Sequence, residues 1–482
     1  MIDTKFFREA CFVDGRWIDG GAQRIEVTNP ATGEVIGTVP DFGRDETRAA
    51  IEAAHQAFID WRARPAAERG EFCRKIYQAL MDNQEELGRL LTVEMGKPLA
   101  EAKGEVAYAA SFFKWFGEEA RRVYGDIVPS PWGDKRIVVT KEPVGVVGSI
   151  TPWNFPTAMI ARKAAAALAA GCTIVCKPAA QTPYSAFAYG VIAEQIGLPK
   201  GVINVITGAP QPIADEMCEN PKLRKITFTG STGVGKQLAS NATKYMKRVS
   251  MELGGNAPFI VFDDADLDAA VKGALASKYR NSGQTCVCAN RFLVQSSIYD
   301  AFAEKLAAAV EKMQVGDGLE AGVEQGPLID EKAVTKVEAH IADAMSKGAK
   351  VILGGHRHEK GLTFFEPTIL TGVTKDMAVA TEETFGPLAP LFRFDTEEEA
   401  IAMANDTEYG LACYFYTNDL GRVWRVMEAL EYGIVGINEG IISTEVAPFG
   451  GVKESGMGRE GSKYGLEDYL NIKYALVGGL TR

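Results

Sequence analysis

Phe228-Thr229-Gly230-Ser231-Thr232-Gly233-Val234-Gly235-Lys236 is the stretch on which the reading of the fold turns. A short run ending in Phe228 and Thr229 reads as a strand, the glycine-spaced residues as a tight turn, and the end of the run as the opening of a helix. Small residues let backbone N–H groups approach phosphate oxygens, and a helix N-terminus favours their negative charge. Gly230, Ser231 and Gly235 are therefore candidate phosphate-facing positions. The run is related to the GxGxxG fingerprint without matching it, and a plain strand-to-helix turn accounts for its glycines about as well.

The setting favours the phosphate reading. Upstream, short apolar runs alternate with helical patterns: Val144 to Ile150, then Ala158 to Ala170 ending at Gly171, then Thr173 to Cys176. A helix from Tyr184 to Ile196 and strands at Val202 to Ile206 and Lys225 to Thr229 continue the rhythm. Such alternation predicts a mostly parallel sheet covered by helices on both faces, and βαβ units of this kind favour a dinucleotide at the turn. A second alternating section begins near Ala257, with a strand from Arg291 to Gln295 and a helix from Tyr299 to Met313, so a second α/β domain is expected. Before both, Asp45 is expected to cap a helix whose apolar face carries Ala49, Ile51, Ala54 and Phe58, and another helical pattern runs from Ala66 through Met81. Val123 to Val139 and the tail Glu467 to Val477 fit neither section and are expected to pair in an oligomerisation arm.

Composition sets the bounds. A chain of 482 residues predicts about three domains, or two with elaborations. Apolar residues at 46% and charged residues at 24% are the balance of a folded globular protein. Asp and Glu (63) outnumber Lys and Arg (52), and a net charge of -11 disfavours broad nucleic-acid binding. The eight cysteines are scattered, which suits a reducing cytoplasm; the first residues carry no signal-like apolar segment, and the longest charge-free run is broken by Pro152 and Pro156, so no membrane anchor is expected.

Cys286 closes the run Tyr279-Arg280-Asn281-Ser282-Gly283-Gln284-Thr285-Cys286-Val287-Cys288. A thiol there is a candidate nucleophile. Glu252, at the end of an apolar strand before Gly254 and Gly255, would have its pKa raised by partial burial and suit a general base for water; a structural ion pair is the competing reading. Asn154, in the rigid loop Thr151-Pro152-Trp153-Asn154-Phe155-Pro156, carries an amide donor for an oxyanion, against the plainer reading of a capped turn. Lys177 at a strand end is placed to meet a ribose or phosphate, or simply water. Cys286 and Cys288 form a Cys-x-Cys pair, yet His55, His340, His356 and His358 show no zinc spacing to them, so no metal is expected. Asp263, Asp264, Asp266 and Asp268 lack the glycine and glutamate of a calcium loop and read as an exposed turn into a helix.

The ordered motifs PWNFP, CKPA, FTGSTGVG, MELGGNAP, GQTC, EETFGP and PFGGVKESG cover nearly the whole chain and closely resemble the NAD(P)-dependent aldehyde dehydrogenase superfamily. Through Cys286-Val287-Cys288-Ala289-Asn290 and Phe449-Gly450-Gly451-Val452-Lys453 the chain looks most like the succinate-semialdehyde dehydrogenase group. The resemblance implies two doubly wound α/β domains and a β arm: a dinucleotide-binding domain over 1–120 and 142–254, a catalytic domain over 255–453, and an oligomerisation arm with the C-terminal segment over 121–141 and 454–482. It implies that Cys286 attacks an aldehyde, that the Asn154 amide and the Cys286 N–H hold the oxyanion, that Glu252 activates the hydrolytic water, and that Lys163 belongs to the catalytic group. Coenzyme A-dependent relatives commonly lack the glutamate, so hydrolysis is expected.

It also places Lys177 at the adenosine ribose, Ser231 at the pyrophosphate, Glu383 and Phe385 near the nicotinamide ribose and ring, and Trp153 along the cleft. NAD-preferring relatives often carry a glutamate where Ala180 stands; alanine neither binds the ribose hydroxyls nor repels a 2′-phosphate, so NADP acceptance is expected beside NAD. Arg162, Arg280 and Ser443 match residues that bind a distal carboxylate, the nearest substrates being succinate and glutarate semialdehydes. Cys288 either packs beside the nucleophile or, as suggested in some similar enzymes, forms a disulfide with Cys286 under oxidant. A homo-oligomer, dimer or tetramer, is implied. A non-redox cysteine hydrolase or acyltransferase would share Cys286 but would not need the dinucleotide turn.

Overall fold

Strands Val146–Ile150, Thr173–Lys177, Ile203–Val205, Leu223–Thr229 and Arg248–Glu252 are buried over most of their lengths, as parallel strands covered on both faces must be. In the computed structural model, which describes residues 4–480, they lie in the order Arg248–Glu252, Leu223–Thr229, Val146–Ile150, Thr173–Lys177, Ile203–Val205. Antiparallel neighbours extend this sheet at both ends: Gly456–Met457 beside Arg248–Glu252, and Cys11–Val13 with Arg16–Ile18 beyond Ile203–Val205. Strand order reverses between Val146–Ile150 and Leu223–Thr229, which opens a crevice outside their carboxyl ends. The glycine-spaced turn at Gly230 and the loop carrying Asn154 both leave the sheet there.

Helix Pro156–Ala170 runs out of that crevice with every residue buried. Proline at its first position is pre-set for the helix, and Gly171 at φ 98° ends it in the left-handed conformation that favours glycine. Its alanines let it pack closely between the sheet and helices Ala66–Asp82 and Leu99–Glu119. The expected strands and helices are all present, with ends shifted by a few residues; the helix expected to reach Met313 is Tyr299–Val310. Asp45 is not a cap. Helix Arg44–Ala63 is capped at Gly43, whose N–H donates to the Glu46 carboxylate at 2.9 Å, and Asp45 instead lies in the first turn, where negative charge suits the helix dipole.

The second section forms a seven-stranded sheet in the order Lys350–Leu353, Thr368–Thr371, Leu388–Phe394, Ala289–Gln295, Ala257–Val261, Ala412–Tyr416, Ile434–Ile437, parallel except for the first. One apolar cluster lies on each of its faces, around Phe262 and Phe365 and around Phe259 and Phe292. The chain leaves the first sheet at the end of Arg248–Glu252 and enters the second at the start of Ala257–Val261, so Leu253 to Asn256 bridge the two. Asp266 caps helix Leu267–Lys278, and Asp264 accepts from Thr417, Asn418 and Arg422, so the acidic run is a turn into a helix. Strands Asp126–Val128, Arg136–Pro143 and Leu470–Val477 make a separate antiparallel sheet, pairing the two segments that fitted neither section.

Candidate active site

Cys286 sits just before strand Ala289–Gln295, which lies beside Ala257–Val261 in parallel register. Asn281 and Ser282 curl the approach to it through left-handed backbone, at φ 53° and 56°. Gly283 follows at φ +74°, and a Cβ there would lie 2.1 Å from the Gly386 carbonyl, so only glycine lets this loop pack against the one carrying Glu383 and Phe385. Gly255 is close enough that a Cβ would meet the Cys286 carbonyl at 2.7 Å. The nucleophile loop is thus pressed between the bridge and the second domain's loops. Burial pushes the Cys286 thiol up to about 12, with the Arg162 guanidinium pulling the other way.

Asn154 is buried and held from several directions. Its Nδ2 donates to the Gln284 carbonyl at 3.0 Å, leaving the second N–H of the amide for another acceptor. Its backbone carbonyl accepts from Lys97 Nζ at 2.7 Å and Asn281 Nδ2 at 2.9 Å. Lys97 is buried in an ion pair with Glu105 at 2.6 Å, and the other Glu105 oxygen accepts the N–H groups of Thr157 and Ala158. Glu101 accepts the Asn281 N–H at 2.8 Å. One helix, Leu99–Glu119, therefore fixes both the Asn154 loop and the approach to Cys286.

Glu252 ends its strand buried, with Oε2 unpaired among the described residues, so it is not the ion-pair carboxylate that competed in the sequence reading. Burial raises its pKa well above 4.5, the nearby Glu460 raises it further, and Arg162 and Lys163 oppose both. Glu460 is the paired carboxylate: Arg162 Nε lies 2.6 Å from one oxygen and Lys163 Nζ 2.5 Å from the other. Its pKa is lowered, since the two cations outweigh its burial. Lys163 also donates to Thr229 Oγ1 at 2.5 Å and is not among the residues lining the cavity beside Cys286. It holds Glu460 from within the core.

That cavity, of about 270 Å³, brings Cys286 together with Arg162, Arg280 and Ser443, over walls that include Phe155, Met159 and Phe449. Arg162 stacks its guanidinium over Phe449 at 3.8 Å and Arg280 over Phe155 at 5.3 Å, so apolar rings orient both cations. Two arginines and a serine beside a thiol are equipped to hold an anionic group at a fixed distance from the nucleophile.

On the far side of the crevice, Lys177 is buried and donates to the Pro178 carbonyl at 3.1 Å; burial lowers its pKa to about 8. It lines a cleft with Ile150, Phe228 and Val234. Ser231 caps helix Thr232–Thr243 without its side chain bonding the first turn, which leaves those N–H groups for an anion. Gly230 donates to the Glu252 carbonyl at 3.1 Å, tying the turn to the end of strand Arg248–Glu252. A Cβ at Gly235 would lie 2.2 Å from Leu253 Cδ2, so its smallness lets the helix pack against the bridge. Ala180 is half-buried just past Lys177. Trp153 and Phe385 meet edge to face at 5.6 Å, and Glu383 accepts the Gly255 N–H at 3.3 Å with its pKa raised by burial to about 7. Unbonded helix-start amides, a lysine at the strand end and a carboxylate beyond fit a dinucleotide lying across the switch point. Cys288 is buried with Sγ 3.3 Å from the Lys278 carbonyl. Among the described residues no cluster of metal-ligating side chains occurs, and no helix is long and apolar enough to cross a membrane.

The model of the aldehyde dehydrogenase family matches residues 17–475. The chain belongs to that family, whose members are NAD(P)-dependent oxidoreductases of aldehydes. It is 64% identical to glutarate-semialdehyde dehydrogenase of Pseudomonas aeruginosa, covering all of both chains, and 61% identical to the NADP-dependent succinate-semialdehyde dehydrogenase of Escherichia coli, covering 99% of each. The crystal structure of succinate-semialdehyde dehydrogenase from Burkholderia pseudomallei superimposes with a TM-score of 0.98 at 60% identity, over 99% of this chain and all of that one.

Sequence motifs missed Glu460, Lys97, Glu105, Glu101 and Asn281. Asn281 lay inside the quoted nucleophile run, but the others carry no local signature, because each acts on a residue far away in the chain.

Proposed function

We propose that this protein oxidises a short aldehyde bearing a distal carboxylate, succinate semialdehyde first and glutarate semialdehyde next, to the corresponding acid with NADP or NAD. The observation that carries this reading is the cavity shared by Cys286, Arg162, Arg280 and Ser443. Both substrate names occur among the relatives. Arg280, with Arg162 and Ser443, grips the carboxylate and so sets the aldehyde carbon over Cys286 Sγ. The thiol gives its proton to solvent water as sulfur attacks the carbonyl carbon and the C=O π pair moves onto oxygen, and that oxyanion is held by the free N–H of Asn154 Nδ2 with the Cys286 N–H. A nicotinamide dinucleotide, when bound, supplies the hydride acceptor; Lys177 and Ser231 would hold its ribose and phosphates, Glu383 with Phe385 and Trp153 its nicotinamide end. Glu252 then takes a proton from the water that cleaves the acyl–sulfur bond, and the acid leaves with the thiol restored.

Ala180 supports NADP acceptance, as does the NADP dependence in the name of the Escherichia coli relative. The same reading assigns residues 1–120 and 142–254 to the dinucleotide-binding domain, 255–453 to the catalytic domain, and the remainder to an arm that joins subunits into a homo-oligomer, in the cytoplasm. The deciding measurement is kcat/KM for semialdehydes of increasing length and for uncharged aldehydes against both cofactors. The carboxylated substrates are expected to lead, and Arg280→Ala to raise KM for succinate semialdehyde by roughly 10- to 100-fold with little effect on butanal. Equal effects on the two substrates would overturn the assignment.

A further inference from the structure

Helix Leu99–Glu119 reaches the cavity beside Cys286 with Tyr108, a residue that no motif singled out. Its Oη is buried and has no hydrogen-bond partner among the described residues. Arg162, which lines the same cavity, has its Nη2 buried without a hydrogen-bond partner. Buried polar groups are nearly always partnered, and no acceptor among the described residues bonds the Tyr108 phenol, so the open donor calls for one from outside the chain.

Of the carboxylates nearby, Glu252 keeps Oε2 open, and the others are engaged. Glu105 holds Lys97 and the N–H groups of Thr157 and Ala158, Glu101 accepts the Asn281 N–H, and Glu460 holds Arg162 Nε and Lys163. The Tyr108 ring is fixed edge-on against Phe112 at 5.0 Å, and its backbone carbonyl accepts from Ser111 Oγ at 2.7 Å. The Arg162 and Arg280 guanidiniums, from the same cavity, favour the ionised hydroxyl. Burial dominates over them and raises its pKa, so it keeps its proton and remains a donor at neutral pH.

We propose that Tyr108 Oη is a further donor to the substrate's distal carboxylate and a determinant of selectivity for anionic over uncharged aldehydes, an inference that rests on the proposed substrate class. Arg162 comes from helix Pro156–Ala170, Arg280 from the turn before Cys286, and Tyr108 from a third element. A carboxylate gripped from three sides is fixed in orientation as well as position. Removing one hydroxyl from a charge-assisted site leaves the acceptor under-bonded, whereas an aldehyde ending in a methyl group loses nothing.

The test is Tyr108→Phe, which removes only the oxygen. Wild type and variant are compared in kcat/KM for succinate semialdehyde and for butanal, and in inhibition by succinate and by butanoate. The expected result is a fall of about 10- to 100-fold for succinate semialdehyde, carried by KM, with weaker inhibition by succinate and no comparable change for butanal or butanoate. If wild type prefers succinate semialdehyde and the variant keeps that preference, the Tyr108 assignment alone is overturned. An equal loss for both aldehydes means that Tyr108 is structural and overturns it too. A wild type with no preference for the carboxylated aldehyde overturns the substrate class and the Tyr108 assignment together.

Discussion

Glu252 and Glu460 are two carboxylates in one buried network whose environments push their pKa values apart, and that separation assigns their roles. Glu460 stays ionised because Arg162 and Lys163 hold it; Glu252 is raised by burial and by the Glu460 charge, and so is poised to take a proton. A base must be unprotonated to act, so the deacylation rate is expected to rise with pH through the raised Glu252 pKa and to fall away below it. Glu252→Gln should abolish that dependence and slow turnover by roughly 10²- to 10⁴-fold. A burst of about one reduced nicotinamide per active site should persist, since acylation does not need the base. Rapid-mixing absorbance measurements separate the two; loss of the burst along with turnover would place Glu252 in an earlier step. Cys286, Asn154 and Glu252 were legible in the sequence because each lies in a dense run of unusual residue types. Glu460 was not, since Lys163 lies 297 residues away from it in the chain.

At the scale of elements, helix Leu99–Glu119 and the turn before it support the reacting groups without contributing the nucleophile or the base. Lys97 grips the Asn154 carbonyl while Glu105 holds the first amides of helix Pro156–Ala170, so their ion pair sets the position of Asn154, the proposed oxyanion donor. Lys97→Met is expected to lower kcat by roughly 10- to 100-fold through misplacement of Asn154, with the KM for dinucleotide little changed. It also leaves Glu105 as an unpaired buried charge, which should cost about 3–5 kcal/mol in denaturant unfolding. A stable variant with wild-type kcat would show that the pair serves packing alone. The strands and helices around this site were readable from apolar runs and glycine punctuation. Asp45 was misread because a carboxylate in a first turn resembles a cap in sequence, and only the Gly43 backbone and the Glu46 side chain settle which residue closes the helix.

Over the whole molecule, the arm sheet stands out by its surface. Leu470–Val477 pairs with Arg136–Pro143 along its full length, yet Ile127, Ile472 and Tyr474 are 79%, 75% and 70% exposed. Apolar side chains displayed on a three-stranded sheet are a liability in water unless another surface covers them. Replacing Ile472 and Tyr474 together by aspartate is therefore expected to shift the protein towards smaller species in light scattering while leaving the single-chain fold intact. A wild type that is monomeric at working concentration would remove the basis for that expectation.

By itself the sequence determined the two α/β sections and the turn at Gly230, and singled out Cys286, Asn154 and Glu252 as candidates. These depend on periods of two and 3.6 residues and on compact motifs, both local properties of a chain. Tertiary structure alone decided which carboxylate is paired and which is open, that Gly235 packs against Leu253, that Lys163 pairs with Glu460 in the core, and that Tyr108 and Arg162 line one cavity. The reason is physical: burial, pairing and pKa depend on distances between residues remote in sequence, and those distances exist only once both sheets have closed on the bridge from Leu253 to Asn256.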